Sequence, residues 1–211
     1  MNEEIVVNTE NGRIRGKKQK DYHGGRFYSF SGIPYAKAPV GELRFRAPQP
    51  SDPWEDIRDG TKEGYECPSL DMFFGYHVGN EDNCLNLNVY TKELPNAEND
   101  KKKPVMVFIH GGGFMYGSNK SAVIGPHYLM TEDIVFVTIN YRLGVFGLFH
   151  KAIMQSGCAL NPWARGRKNF SDIAKAMGYK DVDEKTLFQK LCRASARSLV
   201  SAQFKIEDVS I

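Results

Sequence analysis

The 211-residue sequence lacks the features that mark membrane, nucleic-acid and metal-binding proteins. No stretch approaches the roughly 18 consecutive apolar residues that a membrane-spanning helix requires. The net charge is only +3 and the basic residues are dispersed, so no positive surface that would neutralise a phosphate backbone is predicted. The four cysteines have no C-x-x-C spacing and the five histidines are scattered, a pattern that does not favour a zinc site. We expect no nucleic-acid partner, no membrane association, no metal and no cofactor.

The first residues also lack a secretory signal. Residues 1–9 carry two acidic side chains and a single short apolar run at residues 5–7. A signal peptide instead begins with basic residues and continues with about 7–15 apolar ones. This absence predicts a cytoplasmic protein.

Two runs of β-branched and aromatic residues stand out in the middle of the chain, at residues 105–109 and 134–139. Such runs are typical of strands buried on both faces of a parallel sheet. Residues 125–132 between them can form a short helix. A strand, a helix and a strand in this order make a βαβ unit and predict an α/β fold. With 41% hydrophobic residues, the chain can form one domain-sized core.

Other elements are predicted on both sides of this unit. Residues 5–16 favour two strands around a turn at Asn11 and Gly12, and residues 26–35 and 85–91 favour one strand each. Prolines recur over residues 38–54 and predict an extended segment. Residues 96–103 form a polar connection.

Helices are predicted from about Lys168 onward, with Asp183 and Glu184 at the start of the second. The apolar faces of these helices comprise Ile173, Ala176 and Met177, and Leu187, Phe188, Leu191 and Cys192.

A glycine-rich segment, His110-Gly111-Gly112-Gly113-Phe114, directly follows the first buried run. Ligands of α/β proteins bind at the carboxyl ends of such strands. Glycines allow the backbone to turn its N–H groups towards a reacting carbonyl, and HGGG segments form the oxyanion hole of lipases and esterases. The alternative is an ordinary glycine-rich turn. The buried strand before the segment, and the sequence blocks on both sides of it, favour the oxyanion hole.

Blocks of sequence on both sides of this segment resemble, in order, signatures of the type-B carboxylesterases, the cholinesterase-like branch of the α/β-hydrolases. The resemblance is closest to insect α-esterases and covers nearly the whole chain. It implies a partial α/β-hydrolase fold with a mainly parallel central sheet, N-terminal antiparallel strands and C-terminal helices. It also implies a serine carboxylesterase acting on small-molecule esters, with Gly112 and Gly113 supplying oxyanion-hole N–H groups. The blocks are SFSGIPYA with PVGELRF (residues 29–36 and 39–45), EDNCLNLNVY (81–90), NYRLGVFG (140–147) and LFHKAIMQSG (148–157).

The same resemblance implies a disulfide between Cys67 and Cys84. Their spacing alone favours two buried thiols instead, and in a reducing cytosol the bond could stay open.

The sequence departs from the family pattern at the junction of residues 147 and 148. In the family, a long segment with the nucleophilic serine in a G-x-S-x-G elbow separates these two blocks, whereas here they are fused. None of the four glycine pairs spaced by four residues (12/16, 60/64, 75/79 and 113/117) encloses a serine. The family's acidic and histidine triad members are also expected to be absent, and His150, Ser118 and Ser156 are not expected to replace any triad member.

These observations predict a single incomplete domain over residues 1–211, with an internal deletion at the 147/148 junction and a missing C-terminal part. We expect an esterase family member that is catalytically incompetent as written. A pseudoenzyme or interaction module is the alternative. Because the deleted segment would contain the strand beside residues 105–109, either an exposed strand edge or replacement by residues 151–156 is expected.

Overall fold

The structure is a computed structural model that describes residues 5–71, 74–95, 102–147, 170–179 and 182–207. The described residues form nine strands and three α-helices. The strands are β1 (Ile5–Thr9), β2 (Gly12–Lys20), β3 (Arg26–Pro34), β4 (Arg58–Asp59), β5 (Ser69–Leu70), β6 (His77–Val78), β7 (Asn86–Thr91), β8 (Val105–Ile109) and β9 (Val135–Ile139). The helices are α1 (Phe170–Ala176), α2 (Glu184–Arg193) and α3 (Ala196–Glu207).

Seven of these strands form one sheet in the order β1-β2-β3-β7-β9-β8, with β4 beside β2, while β5 and β6 form a separate hairpin. The β1–β2 hairpin turns between Thr9 and Gly12, which pair across it. This confirms the predicted turn at Asn11 and Gly12. The predicted strands over residues 26–35 and 85–91 are confirmed as β3 and β7, which pair antiparallel.

The two strands of the predicted βαβ unit lie side by side and run parallel, with Val105 opposite Val135 and Ile109 opposite Ile139. The sheet as a whole is mixed, whereas a mainly parallel sheet was predicted. Among the described strands only β2–β4 and β8–β9 pair in parallel. Antiparallel pairs outnumber parallel pairs because the antiparallel N-terminal strands continue through β7, which itself pairs antiparallel with β9.

The helix predicted over residues 125–132 is reduced to one 3₁₀ turn, Leu129–Thr131. Its first residues are Gly125 and Pro126, which favour turns over a helix interior. Buried Met130 nevertheless anchors the segment, because it packs with Phe27, Tyr90 and Phe136 in one apolar cluster.

Strand β8 was predicted to be buried on both faces, and this is wrong. All five of its side chains are exposed, from 40% at Phe108 to 63% at Val105 and Ile109. Neighbouring β9 buries Phe136 and Thr138. The difference arises because β8 is the last strand of the described sheet and pairs only with β9. The predicted replacement strand at residues 151–156 lies outside the described residues, as does the polar connection at residues 96–101.

The C-terminal helices pack against two separate segments of the chain, around Phe45 and around Phe146. Asp183 caps α2 by accepting a hydrogen bond from the Thr186 N–H at 3.0 Å, as its position predicted. Within the described ranges, no helix is both long and apolar enough to cross a membrane. The core between helices and loops consists of Phe45, Phe146, Leu191, Cys192, Leu199 and Val200.

Candidate functional site

The glycine-rich segment forms a tight turn immediately after β8. The φ angles of Gly112 and Gly113 are 123° and 58°, a region that L side chains rarely adopt. The Gly112 carbonyl accepts hydrogen bonds from the N–H groups of Met115 at 2.9 Å and Tyr116 at 3.0 Å. A Cβ at Gly112 would lie 2.1 Å from the Tyr116 carbonyl oxygen, whereas one at Gly113 would point into open space. Only glycine fits at position 112 without moving the turn.

The N–H groups of Gly112 and Gly113 are not used by the fold. In the part of the chain that the structure describes, neither donates a hydrogen bond. The turn itself is anchored from the next residue, because the Phe114 carbonyl accepts a hydrogen bond from the Gly144 N–H at 2.7 Å. Among the described residues, the turn thus leaves two backbone N–H groups available to a further acceptor.

His110 fixes the start of this turn from a buried position. Its ring stacks on Tyr141 with centroids 4.4 Å apart, and the Tyr141 hydroxyl donates to the His110 carbonyl at 2.7 Å. The Nδ1 atom lies 2.9 Å from the Gly111 carbonyl oxygen, which can only accept, so Nδ1 carries the proton. Burial lowers the pKa of His110, and the bond to Gly111 opposes this only in part. The imidazole is therefore neutral at pH 7, and its described contacts are to the backbone of the turn and to Tyr141.

A network of buried asparagines holds the residues that follow the turn. Asn119 donates its backbone N–H to the Asn140 side chain at 2.7 Å and its side-chain amide to Asn86 at 3.1 Å. Asn88 donates to the Asn119 carbonyl at 3.0 Å. All four asparagines are at most 1% exposed. This network was not predicted from the sequence, although the spacing of Asn86 and Asn88 on one face of β7 was a signal for it.

A second polar support joins two of the sequence blocks. Arg44 and Glu81 form an ion pair at 2.5 Å, with side chains only 6% and 11% exposed. Arg44 also donates to the Leu191 and Ala194 carbonyls at the end of α2. Burial raises the pKa of Glu81, and the Arg44 guanidinium opposes the rise. Cys67 and Cys84 are bonded through their sulfur atoms, with Cα atoms 4.7 Å apart, and close a loop that contains Glu81.

Within the described residues, no serine, threonine or cysteine side chain is hydrogen-bonded to His110 of the glycine turn. One Ser–His hydrogen bond occurs there, between Ser201 on α3 and His77 on β6 at 3.1 Å, outside the His110–Phe114 segment. Ser118 is buried and forms no bond to a histidine in this part of the chain. Ser156 and His150 lie outside the described residues. No cluster of three or more potential metal ligands is found among the side chains that are described.

Comparison with known proteins agrees with the fold. The chain is 46% identical over 143 residues to juvenile hormone esterase of Tribolium castaneum, covering 67% of this chain and 24% of that protein. It is 43% identical over 144 residues to esterase E4 of Myzus persicae, covering 67% and 26%. The structure superposes with a TM-score of 0.82 on Manduca sexta juvenile hormone esterase with OTFP covalently attached. That pair is 30% identical and covers 99% of this chain and 52% of the other.

The chain thus spans 24–26% of the length of these curated relatives. The likeness to the solved esterase confirms a partial α/β-hydrolase fold. Residues 3–148 and 147–210 match the Carboxylesterase family as two segments that meet at the junction between Gly147 and Leu148. The chain belongs to the carboxylesterase family.

Proposed function

We propose that this chain carries the oxyanion-stabilising half of a serine carboxylesterase site for small-molecule esters. The observation that carries the proposal is the pair of free N–H groups at Gly112 and Gly113 behind parallel strand β8. The relatives named as esterases support the reaction class.

The chemistry follows from what the turn offers. Attack on an ester carbonyl converts its oxygen to an oxyanion, and each preorganised donor lowers that barrier by about 3–4 kcal/mol. His110 is not assigned the role of base, because its buried Nε2 atom has no hydrogen-bond partner, and therefore no hydroxyl or thiol to deprotonate, among the described residues. The two donors therefore supply electrostatic stabilisation and leave nucleophile and proton transfer to other groups.

We further propose that the 211 residues alone do not hydrolyse esters. The sequence contains no G-x-S-x-G segment, and the family match divides at the junction where the elbow was expected. A hole for an oxyanion accelerates a reaction only when a nucleophile creates that anion. This supports an internal deletion that removed the serine.

The activity test uses the purified 211-residue chain with a fluorophosphonate probe and naphthyl acetate. We expect neither stoichiometric labelling nor turnover, while a full-length family esterase labels and turns over under the same conditions. Labelling of one serine in the native chain, absent after denaturation, would show that a nucleophile has been overlooked, and mapping the label would identify it.

The oxyanion hole itself can be tested without turnover. Titration with acetate, a product-like carboxylate, should shift the amide resonances of Gly112 and Gly113 in proton–nitrogen spectra. Gly24 is the control, since it also has a positive φ but lies in open space on another loop. Equal shifts at all three glycines, or none at Gly112 and Gly113, would contradict this role.

A further inference from the structure

Strand β8 lies at the end of the described sheet and pairs on one side only, with β9. On that side the Val135 N–H donates to the Pro104 carbonyl at 2.9 Å. Backbone groups alternate between the two sides of a strand, so those of Pro104 and of every second residue after it face β9. The residues between them turn their N–H and C=O groups away from the sheet. These residues are Val105, Val107 and Ile109.

The outer edge of β8 is open. Its three outward N–H and three outward C=O groups have no hydrogen-bond partner among the residues that the structure describes, and its five side chains are 40–63% exposed. Native proteins commonly block such an edge with a charge, a proline or a bulge. Residues 105–109 contain no charged residue, proline or glycine, and their register with β9 has no shift. The edge is therefore available to another strand.

The edge is complementary to a second copy of itself. In an antiparallel pair centred on Val107, Val105 of one copy lies opposite Ile109 of the second copy, and the two Val107 residues face each other. All six outward backbone groups of each copy are then hydrogen-bonded within the two strands. A register shifted by two residues would instead place Ile109 opposite Lys103, or Val105 opposite Gly111, beyond the ends of the strand. The centred register is thus the one that the strand itself satisfies completely.

The side chains agree with this register. On one face of the strand pair every cross-strand contact joins two β-branched residues, because Val105 meets Ile109 and Val107 meets Val107. On the other face Met106 meets Phe108, a favourable contact between a thioether and an aromatic ring. Cross-strand pairs of these kinds stabilise a sheet, whereas like charges directly opposite destabilise it, and this segment has no charge. The chemistry therefore favours a second copy of the chain as the occupant.

We propose that two copies of this chain dimerise by pairing their β8 strands antiparallel, with Val107 on the twofold axis. The same surface serves both copies, as in any isologous dimer, and their two sheets become one. Five residues per copy are far fewer than the roughly 20–30 per side of a standard interface, so the dimer is weak, with a dissociation constant of about 10–1,000 µM. The proposal is independent of the ester chemistry, because the two glycine turns lie at opposite ends of the paired strands.

Cysteine cross-linking of the full chain tests the register. Facing Cα atoms at position 107 would lie about 5.5 Å apart, within the range of about 4.4–6.8 Å that a disulfide bridges. The two copies of position 105 would lie about 14 Å apart along the strands. Under mild oxidation we expect Val107→Cys to form a covalent dimer and Val105→Cys alone to form none. A mixture of Val105→Cys with Ile109→Cys should form one, and the native chain is the control for its own cysteines.

A charge swap followed by sedimentation provides a second readout. The average mass of the native chain should rise over about 5–500 µM, and Val107→Lys and Val107→Glu should each stay monomeric, because like charges then face each other. An equimolar mixture of the two should associate again.

Val123→Lys is the matched control, since Val123 is 83% exposed outside β8, and it should dimerise like the native chain. Circular dichroism shows whether each variant folds. The proposal is overturned if the native chain is monomeric at every concentration or if the mixture associates no more than its components. Equal cross-linking of Val105→Cys and Val107→Cys, as in a parallel stack, would also overturn it.

Discussion

At the scale of single residues, Gly112 and Gly113 differ in what surrounds them although both have positive φ. We predict that Gly112→Ala destabilises the chain clearly more than Gly113→Ala, since only the former places a Cβ against the Tyr116 carbonyl. The left-handed backbone alone costs about 1–2 kcal/mol, and the clash at Gly112 adds to this. Urea unfolding measures both, with Gly24→Ala as a control for backbone strain in open space. Equal losses at positions 112 and 113 would mean that the turn relaxes freely.

His110 makes the stability of the chain depend on pH. Its pKa lies below the ordinary 6.5 in the folded chain because of burial, so the unfolded chain binds the proton more readily. The free energy of unfolding is therefore full above pH 6.5 and falls as the pH drops from there towards the folded pKa. The pKa of His77 is also lowered, by burial first and then by Arg197, and contributes in the same direction.

We predict that His110→Gln reduces the slope of unfolding free energy between pH 7.5 and pH 5, whatever its effect at neutral pH. Exposed His23→Gln is the control for replacing a surface imidazole with an amide. Denaturant titrations at several pH values give the slope directly. An unaltered slope in His110→Gln would show that the imidazole is not shielded from protonation.

At the scale of secondary-structure elements, strand β8 presents apolar side chains on both of its faces. We predict that Val107→Lys, at a side chain 53% exposed, changes the free energy of unfolding by less than about 1 kcal/mol. The same substitution should reduce self-association, because a lysine on an edge strand opposes pairing with another chain.

Phe136→Ala on neighbouring β9 is the comparison, since Phe136 is 1% exposed and its truncation should cost about 3–5 kcal/mol. Chemical unfolding and light scattering measure the two effects. A loss of several kcal/mol from Val107→Lys would indicate that β8 is covered in solution.

The elements themselves were largely predictable, because their signals are local. The turn at Asn11 and Gly12, the parallel pair β8–β9 and the cap at Asp183 follow from neighbouring residues. The burial of β8 was not predictable in this way, since an apolar run shows only that a strand prefers burial. Whether a partner covers it depends on other segments of the chain.

In the candidate site, too, the features that depend on neighbouring residues were predictable and those that depend on distant residues were not. The position of Gly112 and Gly113 after a parallel strand follows from the motif, whereas their free N–H groups depend on the fold of the following turn. The asparagine network was missed because amides are polar and are expected at the surface unless paired. Its pairs join residues separated by 21 to 33 positions, a relation that local patterns do not reveal.

At the scale of the whole molecule, Arg44 links the N-terminal loops, the disulfide-closed loop and helix α2. We predict that Arg44→Met destabilises the chain by about 3–5 kcal/mol, because it leaves the buried Glu81 carboxylate unpaired. The double variant Arg44→Met/Glu81→Leu should recover part of this loss, since no charge then remains buried. Urea unfolding of both single variants and the double variant completes the cycle. Strictly additive losses would show that the two side chains do not interact.

The bond between Cys67 and Cys84 makes the stability of the molecule depend on the compartment that holds it. Closing a loop of 17 residues contributes about 3 kcal/mol by constraining the unfolded chain, a large share of the roughly 5–15 kcal/mol that stabilises an ordinary domain. Glutathione and thioredoxin keep most cytosolic thiols reduced. A chain synthesised in the cytosol would thus forgo this contribution, whereas folding in the endoplasmic reticulum or a bacterial periplasm would retain it. This preference opposes the cytoplasmic location predicted from the first residues, and it favours an oxidising host compartment for recombinant production.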